Sequence, residues 1–121
     1  MPPNTLSVIV SLKDAYFLWI SYFVHIPNIH KYSIGENISK LFVEAMEMTV
    51  YASFLSKEEK LPYIKVALRK VDTIKVFVQL VWELKAIDNK KFSDLSEKLN
   101  EVGKRLGGWH NKLLKENSPT K

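Results

Sequence analysis

The chain has 121 residues, enough for one domain with a real core and too few for two. Apolar residues make up 46% and charged residues 26%, which excludes a disordered chain, and the absence of cysteine excludes disulfides and thiolate metal sites. The net charge of +5 is unevenly placed: residues 1–60 hold five lysines against six acids, a net −1, and residues 61–121 hold thirteen bases against seven acids, a net +6. That asymmetry suits a polyanionic partner, and it equally suits a bundle kept in solution by solvated lysines.

The opening residues, MPPNTLSVIVSLKD, lack the basic stretch and long apolar run of a signal peptide. The most apolar run, Ala15 to Val24, is about half the length of a bilayer span, so the expectation is a cytoplasmic protein without a membrane role.

Apolar residues recur in steps of three and four through four segments. Ile9, Leu12, Tyr16, Trp19 and Phe23 mark the first helix, which Pro27 ends. Ile34, Ile38, Leu41, Ala45, Met48, Ala52 and Leu55 mark the second, with Ser33 and Glu36 as an S-x-x-E capping box at its start. Ile64, Ala67, Val71, Ile74, Val78 and Val81 mark the third, with Pro62 in its first turn. Phe92, Leu95, Leu99, Val102, Leu106, Trp109 and Leu113 mark the fourth, which Asp88 or Asn89 caps. Connectors fall at about residues 26–32, 56–61 and 86–89. Such short links predict an all-α, antiparallel up-down-up-down four-helix bundle over residues 1–115, followed by a polar, frayed tail over 116–121.

Two helices carry more apolar surface than one core needs. Phe17, Leu18, Ile20, Tyr22 and Val24 lie off the first stripe, and Val66, Val76, Phe77, Leu80, Trp82 and Leu84 lie off the third. No helix of a simple bundle is central, so a second apolar face points to self-association.

Catalytic patterns are lacking: there is no Gly-rich phosphate loop, no G-x-S-x-G and no H-E-x-x-H. His25 and His30 are separated by Pro27, and neither Glu44 nor Glu47 begins a Glu-x-x-His pair, so neither a metal, a cofactor nor an enzymatic activity is expected. The fourth helix carries the pattern of interest. Lys91, Lys98, Arg105 and Lys112 recur every seven residues along one edge, a spacing able to follow a phosphate backbone. Asp94 and Glu101 each precede a member of that stripe by four residues, the order of an ordinary solvated helix face. The third helix adds Lys65, Arg69, Lys70 and Lys75. Gly103, Gly107 and Gly108 interrupt the same fourth helix, each costing about 0.8–1 kcal/mol against alanine. They either end the helix or admit a close neighbour. The apolar step continues to Leu113, which favours an unbroken, tightly packed helix with Trp109 on the core and its indole N–H on an acceptor.

The run Glu101-Val102-Gly103-Lys104-Arg105-Leu106-Gly107-Gly108-Trp109 resembles the E-V-G-R-x-L-G-x-W signature of the four-helix-bundle family of accessory variability determinants. That family also includes proteins encoded in intervening sequences of ribosomal-RNA genes. The stretch from Ile26-Pro27 to Ile38 is similar to the family's opening of its second helix. The resemblance implies a homopentameric barrel that binds RNA or DNA and a reverse transcriptase in a diversity-generating retroelement. Its alternative implication is a stand-alone interaction protein of the ribosomal-RNA type, without a polymerase. On the family's pattern Lys75 takes the place of the first of two helix-3 arginines, the second falls on neutral Gln79, and Lys104 or Arg105 takes the basic position of the signature. Together with the basic stripe this gives Lys65, Arg69, Lys75, Lys98, Lys104, Arg105 and Lys112 as the expected nucleic-acid contacts, and Gly103, Gly107, Gly108 and Trp109 as the structural motif.

Overall fold

A computed structural model describes residues 3–118 of the chain, and among these every regular element is helical. Four long helices, α1 (Pro3–Phe23), α3 (Glu36–Ser53), α4 (Lys57–Glu83) and α5 (Asn89–Asn117), carry the fold. Between α1 and α3 lie a single turn, α2 (Asn28–His30), and a wider π-type turn, Lys31–Gly35. Helix α1 packs on α3 and α5, and α4 packs on the same two, so α1 and α4 occupy diagonal corners.

The chain turns where the sequence removes donors or supplies caps. After α1, His25 and Ile26 N–H bond three residues back, to Tyr22 and Phe23, and Pro27 takes an extended ψ of 142°. The Pro27 carbonyl then accepts from both His30 and Lys31 N–H at 2.9 Å, so helix restarts at Asn28. This corrects the expected capping box. Ser33 lies inside the π-type turn, where its hydroxyl donates to the Ile29 and His30 carbonyls at 3.1 and 3.2 Å, and Glu36 follows residues already helical. Tyr32, at φ −89° and ψ 15°, bends the axis there.

The reciprocal capping box sits instead at Ser56 and Glu59. The Glu59 N–H donates to Ser56 Oγ, and the Ser56 N–H donates to Glu59 Oε1 at 3.3 Å. Hydrogen bonds from Ser56 hold the Glu59 carboxyl below the usual carboxylate range. Helix α4 therefore begins at Lys57, and Pro62 falls in its second turn, not its first. Lys60 reaches back to cap the end of α3, donating to the Ala52 carbonyl at 2.8 Å. Asp88 caps α5 as expected, accepting the Lys91 N–H at 2.8 Å.

The α4 stripe from Ile64 to Val81 is buried at every expected position, and the α5 stripe is buried from Leu95 to Leu113, while Phe92 at its expected start is half-buried. Full burial of one such aliphatic side chain contributes about 1.5–3 kcal/mol. On α1 Leu12 and Trp19 are buried as expected, and the other three core positions lie one residue earlier than expected. Val8, Leu12, Ala15, Trp19 and Tyr22 are buried, while Ile9, Tyr16 and Phe23 are half-buried. On α3, Phe42 and Thr49 take the central places expected of Leu41 and Met48. Trp19 ties these two helices: its indole N–H donates to Ser39 Oγ at 2.9 Å, and Ser39 donates to the Gly35 carbonyl at 3.3 Å.

Helix α1 is longer than its most apolar run, and among the described residues it is the helix long and apolar enough to cross a membrane. Its core face packs within the bundle, and Lys13 and Asp14 stand exposed at its middle. At its other extreme the chain continues helically past residue 115. Glu116 pairs with Lys57 at 3.7 Å and Asn117 Nδ2 donates to the Lys57 carbonyl at 3.1 Å, while the rest of the expected tail, residues 119–121, lies outside the described residues.

Candidate nucleic-acid interface

Helix α5 runs unbroken from Asn89 to Asn117 across all three glycines. A Cβ built on Gly103 would lie 2.9 Å from Lys75 Nζ, so this glycine admits the lysine's ammonium from α4. Within the chain it is thus a side chain, not a second helix, that uses the space. A Cβ on Gly107 or Gly108 would meet nothing within 4 Å, so the tight packing expected there is not made within one chain. Trp109 packs on the core at 5% exposure, and no acceptor for its indole N–H is found among the described residues.

The expected basic residues fall into separate groups. Lys98 and Arg105 lie on the edge of α5 that faces α1 and line one groove with it, of about 450 Å³. Arg105 is fixed there: its Nε and Nη2 each reach Glu101 Oε1 at 2.8 Å, and Nη1 donates to Ser7 Oγ of α1. Lys98 is exposed, since Asp94 turns to Lys90 at 3.1 Å and not to Lys98. At 100° per residue Lys104 points almost opposite the α5 core face, and Lys112 continues the α1-facing edge; both are exposed. Lys75 comes to α5 from the other side, over Gly103. Lys65 and Arg69 are exposed on the outer face of α4 and do not join the α5 group. Lys70 is engaged by Glu44 of α3 at 3.3 Å. Lys91, the first member of the seven-residue stripe, lies 5.5 Å over the Tyr22 ring. Burial first, with Asp94 and Asp88 adding to it, raises the pKa of that tyrosine's hydroxyl.

Sequence reasoning missed the α1 half of the groove. Pro3, Leu6, Ser7, Val10, Ser11 and Asp14 line it opposite Lys98, Glu101 and Arg105. The signal was available. Leu6, Val10, Phe17 and Val24 repeat at intervals that return to one helical face, and they are 51%, 42%, 60% and 56% exposed. That face is diametrically opposite the α1 core stripe. On the diagonal corner α4 exposes Val76, Leu80 and Leu84 in the same way, the second apolar face that the sequence led one to expect.

Among the described residues no group of three or more His, Asp or Glu side chains is placed to hold a metal ion. What the surface offers is positioned cationic charge beside apolar helix faces, an arrangement suited to binding. Compared with protein families, with curated proteins and with solved structures, the chain has no match.

Proposed function

We propose that this chain is a non-enzymatic, cytoplasmic accessory protein of a diversity-generating retroelement, binding RNA or DNA together with a reverse transcriptase to support mutagenic retrohoming. In this reading it is an antiparallel up-down-up-down bundle assembled as a homopentameric barrel. Contacts in which residue numbers run in opposite senses support the antiparallel part: Ser7 with Arg105 and Tyr22 with Lys91, Glu44 with Lys70 and Ala52 with Lys60.

The observation that carries the nucleic-acid reading is the cationic dressing of α5. Arg105 and Lys98 stand on one of its edges, and Lys75 is seated on the other through Gly103. Such charges neutralise phosphates without reading bases, so affinity falls steeply with salt. The test is the triple charge reversal Lys75→Glu, Lys98→Glu and Arg105→Glu, with binding of labelled RNA and DNA followed by anisotropy at two salt concentrations. Loss of binding with an unchanged circular dichroism spectrum is expected. Binding that survives at moderate salt would sink the reading. Co-purification with a reverse transcriptase encoded beside the gene tests the second partner, and a chain that binds nucleic acid but no polymerase would be the stand-alone, ribosomal-RNA type.

A further inference from the structure

The turn between α4 and α5 carries an aromatic pair that the surfaces above do not use. The Trp82 and Phe92 rings stack with 4.5 Å between centroids and 8° between planes. The Trp82 indole N–H donates to Asn89 Oδ1 at 2.8 Å, which fixes the rotation of the ring. Trp82 is half-buried, whereas Trp19 and Trp109 are 0% and 5% exposed. Trp82 lines two adjoining hollows, of about 420 and 290 Å³, together with Lys85 and Asn89, and Phe92 lines neither.

Cations flank this indole. Lys85 stands on the rim of both hollows at φ 61°, a left-handed conformation in which it closes the end of α4. Lys91 lies on the larger hollow's wall, over the Tyr22 ring. Of the nearby acids, Asp88 lines the larger hollow, where its carboxylate is engaged as the α5 cap by the Lys91 backbone N–H; Asp94 pairs with Lys90, and Glu83 borders only the smaller hollow.

We propose that the larger hollow is a stacking site for one unpaired base of a single-stranded nucleic acid, with the Trp82 indole as platform and Lys85 and Lys91 beside the flanking phosphates. An aromatic face backed by a second ring and pinned by a hydrogen bond loses little freedom when a base settles on it, and every base has a face to offer. The site rests on the nucleic-acid reading above and adds a strand preference to it. Charge along α5 attracts duplex and single strand alike, whereas stacking on an indole requires a base outside a duplex.

The two buried tryptophans leave Trp82 as the one whose emission a stacked base quenches. The probe is a labelled oligothymidylate of about 12 nucleotides, a length within the site sizes of single-strand binders, with a duplex of equal length as control. Oligothymidylate is expected to quench the emission as its anisotropy rises, and the duplex to bind without quenching. Trp82→Phe should abolish the quenching, and Trp82→Leu should weaken oligothymidylate binding about tenfold with duplex binding unchanged. Thermal melting confirms that both variants fold; Asn89→Ala, which frees the indole without removing it, should weaken binding in the same selective way. Saturated oligothymidylate binding without quenching, or quenching that persists in Trp82→Phe, overturns the stacking site and leaves the nucleic-acid reading standing. An oligothymidylate and a duplex that both fail to bind at low salt overturn that reading and the site with it.

Discussion

Gly103 sets helix propensity against the placement of a charge. Alanine at this position would favour the α5 helix by about 0.8–1 kcal/mol. The new methyl group would meet only the far end of Lys75, with Nζ at 2.9 Å and Cε at 3.7 Å, so the lysine moves and the helices do not. Gly103→Ala is therefore expected to raise stability in denaturant by about 1 kcal/mol and, at unchanged net charge, to weaken nucleic-acid binding. A variant that is stabilised and binds as well as the parent would detach Lys75 from the interface. Lys85 poses the converse case. The N–H groups of Lys85 and Ala86 bond back to the Trp82 and Val81 carbonyls at 2.9 and 3.0 Å, the paired closure that glycine ordinarily makes at a helix end. A non-glycine residue at φ 61° costs about 1 kcal/mol. Lys85→Gly should accordingly raise the melting temperature by about 3 °C, read by calorimetry. No change in melting would mean that glycine's greater unfolded-state entropy cancels the relief.

At the scale of elements, the bend between α1 and α3 depends on Gly35. A Cβ there would stand 3.1 Å from the His30 carbonyl oxygen and 3.2 Å from Phe23 Cε1, and the Gly35 carbonyl accepts from Ser39 within the chain of hydrogen bonds that begins at Trp19. Gly35→Ala is expected to lose about 1 kcal/mol in urea unfolding, because crowding against backbone exceeds the gain in helix propensity. Equal or higher stability would show that the π-type turn relaxes freely. The same region marks where the sequence was least legible. The α5 stripe could be read because it lies opposite a polar face, which fixes the phase of the period, and on α4 the exposed Lys65, Arg69 and Asp72 opposite the stripe fix it in the first half, before the second apolar face begins at Val76. α1 is apolar on two faces, so its steps of three and four fit Ile9 and Tyr16 as well as Val8 and Ala15, and only burial in the folded bundle settles the choice. Ser33-x-x-Glu36 and Ser56-x-x-Glu59 carry the same capping pattern. Pro27 restarts the helix upstream of the first, and only the second meets free N–H groups. The basic residues of the candidate interface were legible as residue types and spacing, but not as neighbours. Nothing along the chain says that Lys75 reaches Gly103, or that Ser7 and Leu6 face Arg105.

For the whole molecule, the positions of the two exposed apolar faces bear on how copies meet. The α1 face, with Leu6 and Phe17, and the α4 face, with Val76 and Leu80, belong to diagonal corners of the bundle. A two-fold dimer joins one patch to the same patch on its partner. A cyclic ring joins two different patches head to tail, and each subunit must carry both. The proposed barrel therefore predicts complementation. Leu6→Glu with Phe17→Glu should reduce the solution mass to a single 14.0 kDa chain while leaving helix content intact, because both side chains are exposed. Val76→Glu with Leu80→Glu should do the same through the other face. Mixed together, the two variants retain one intact α1 face and one intact α4 face between them, and light scattering should find a dimer that neither forms alone. Monomers that stay monomeric on mixing would exclude a head-to-tail contact between these faces, and with it the barrel assembled through them.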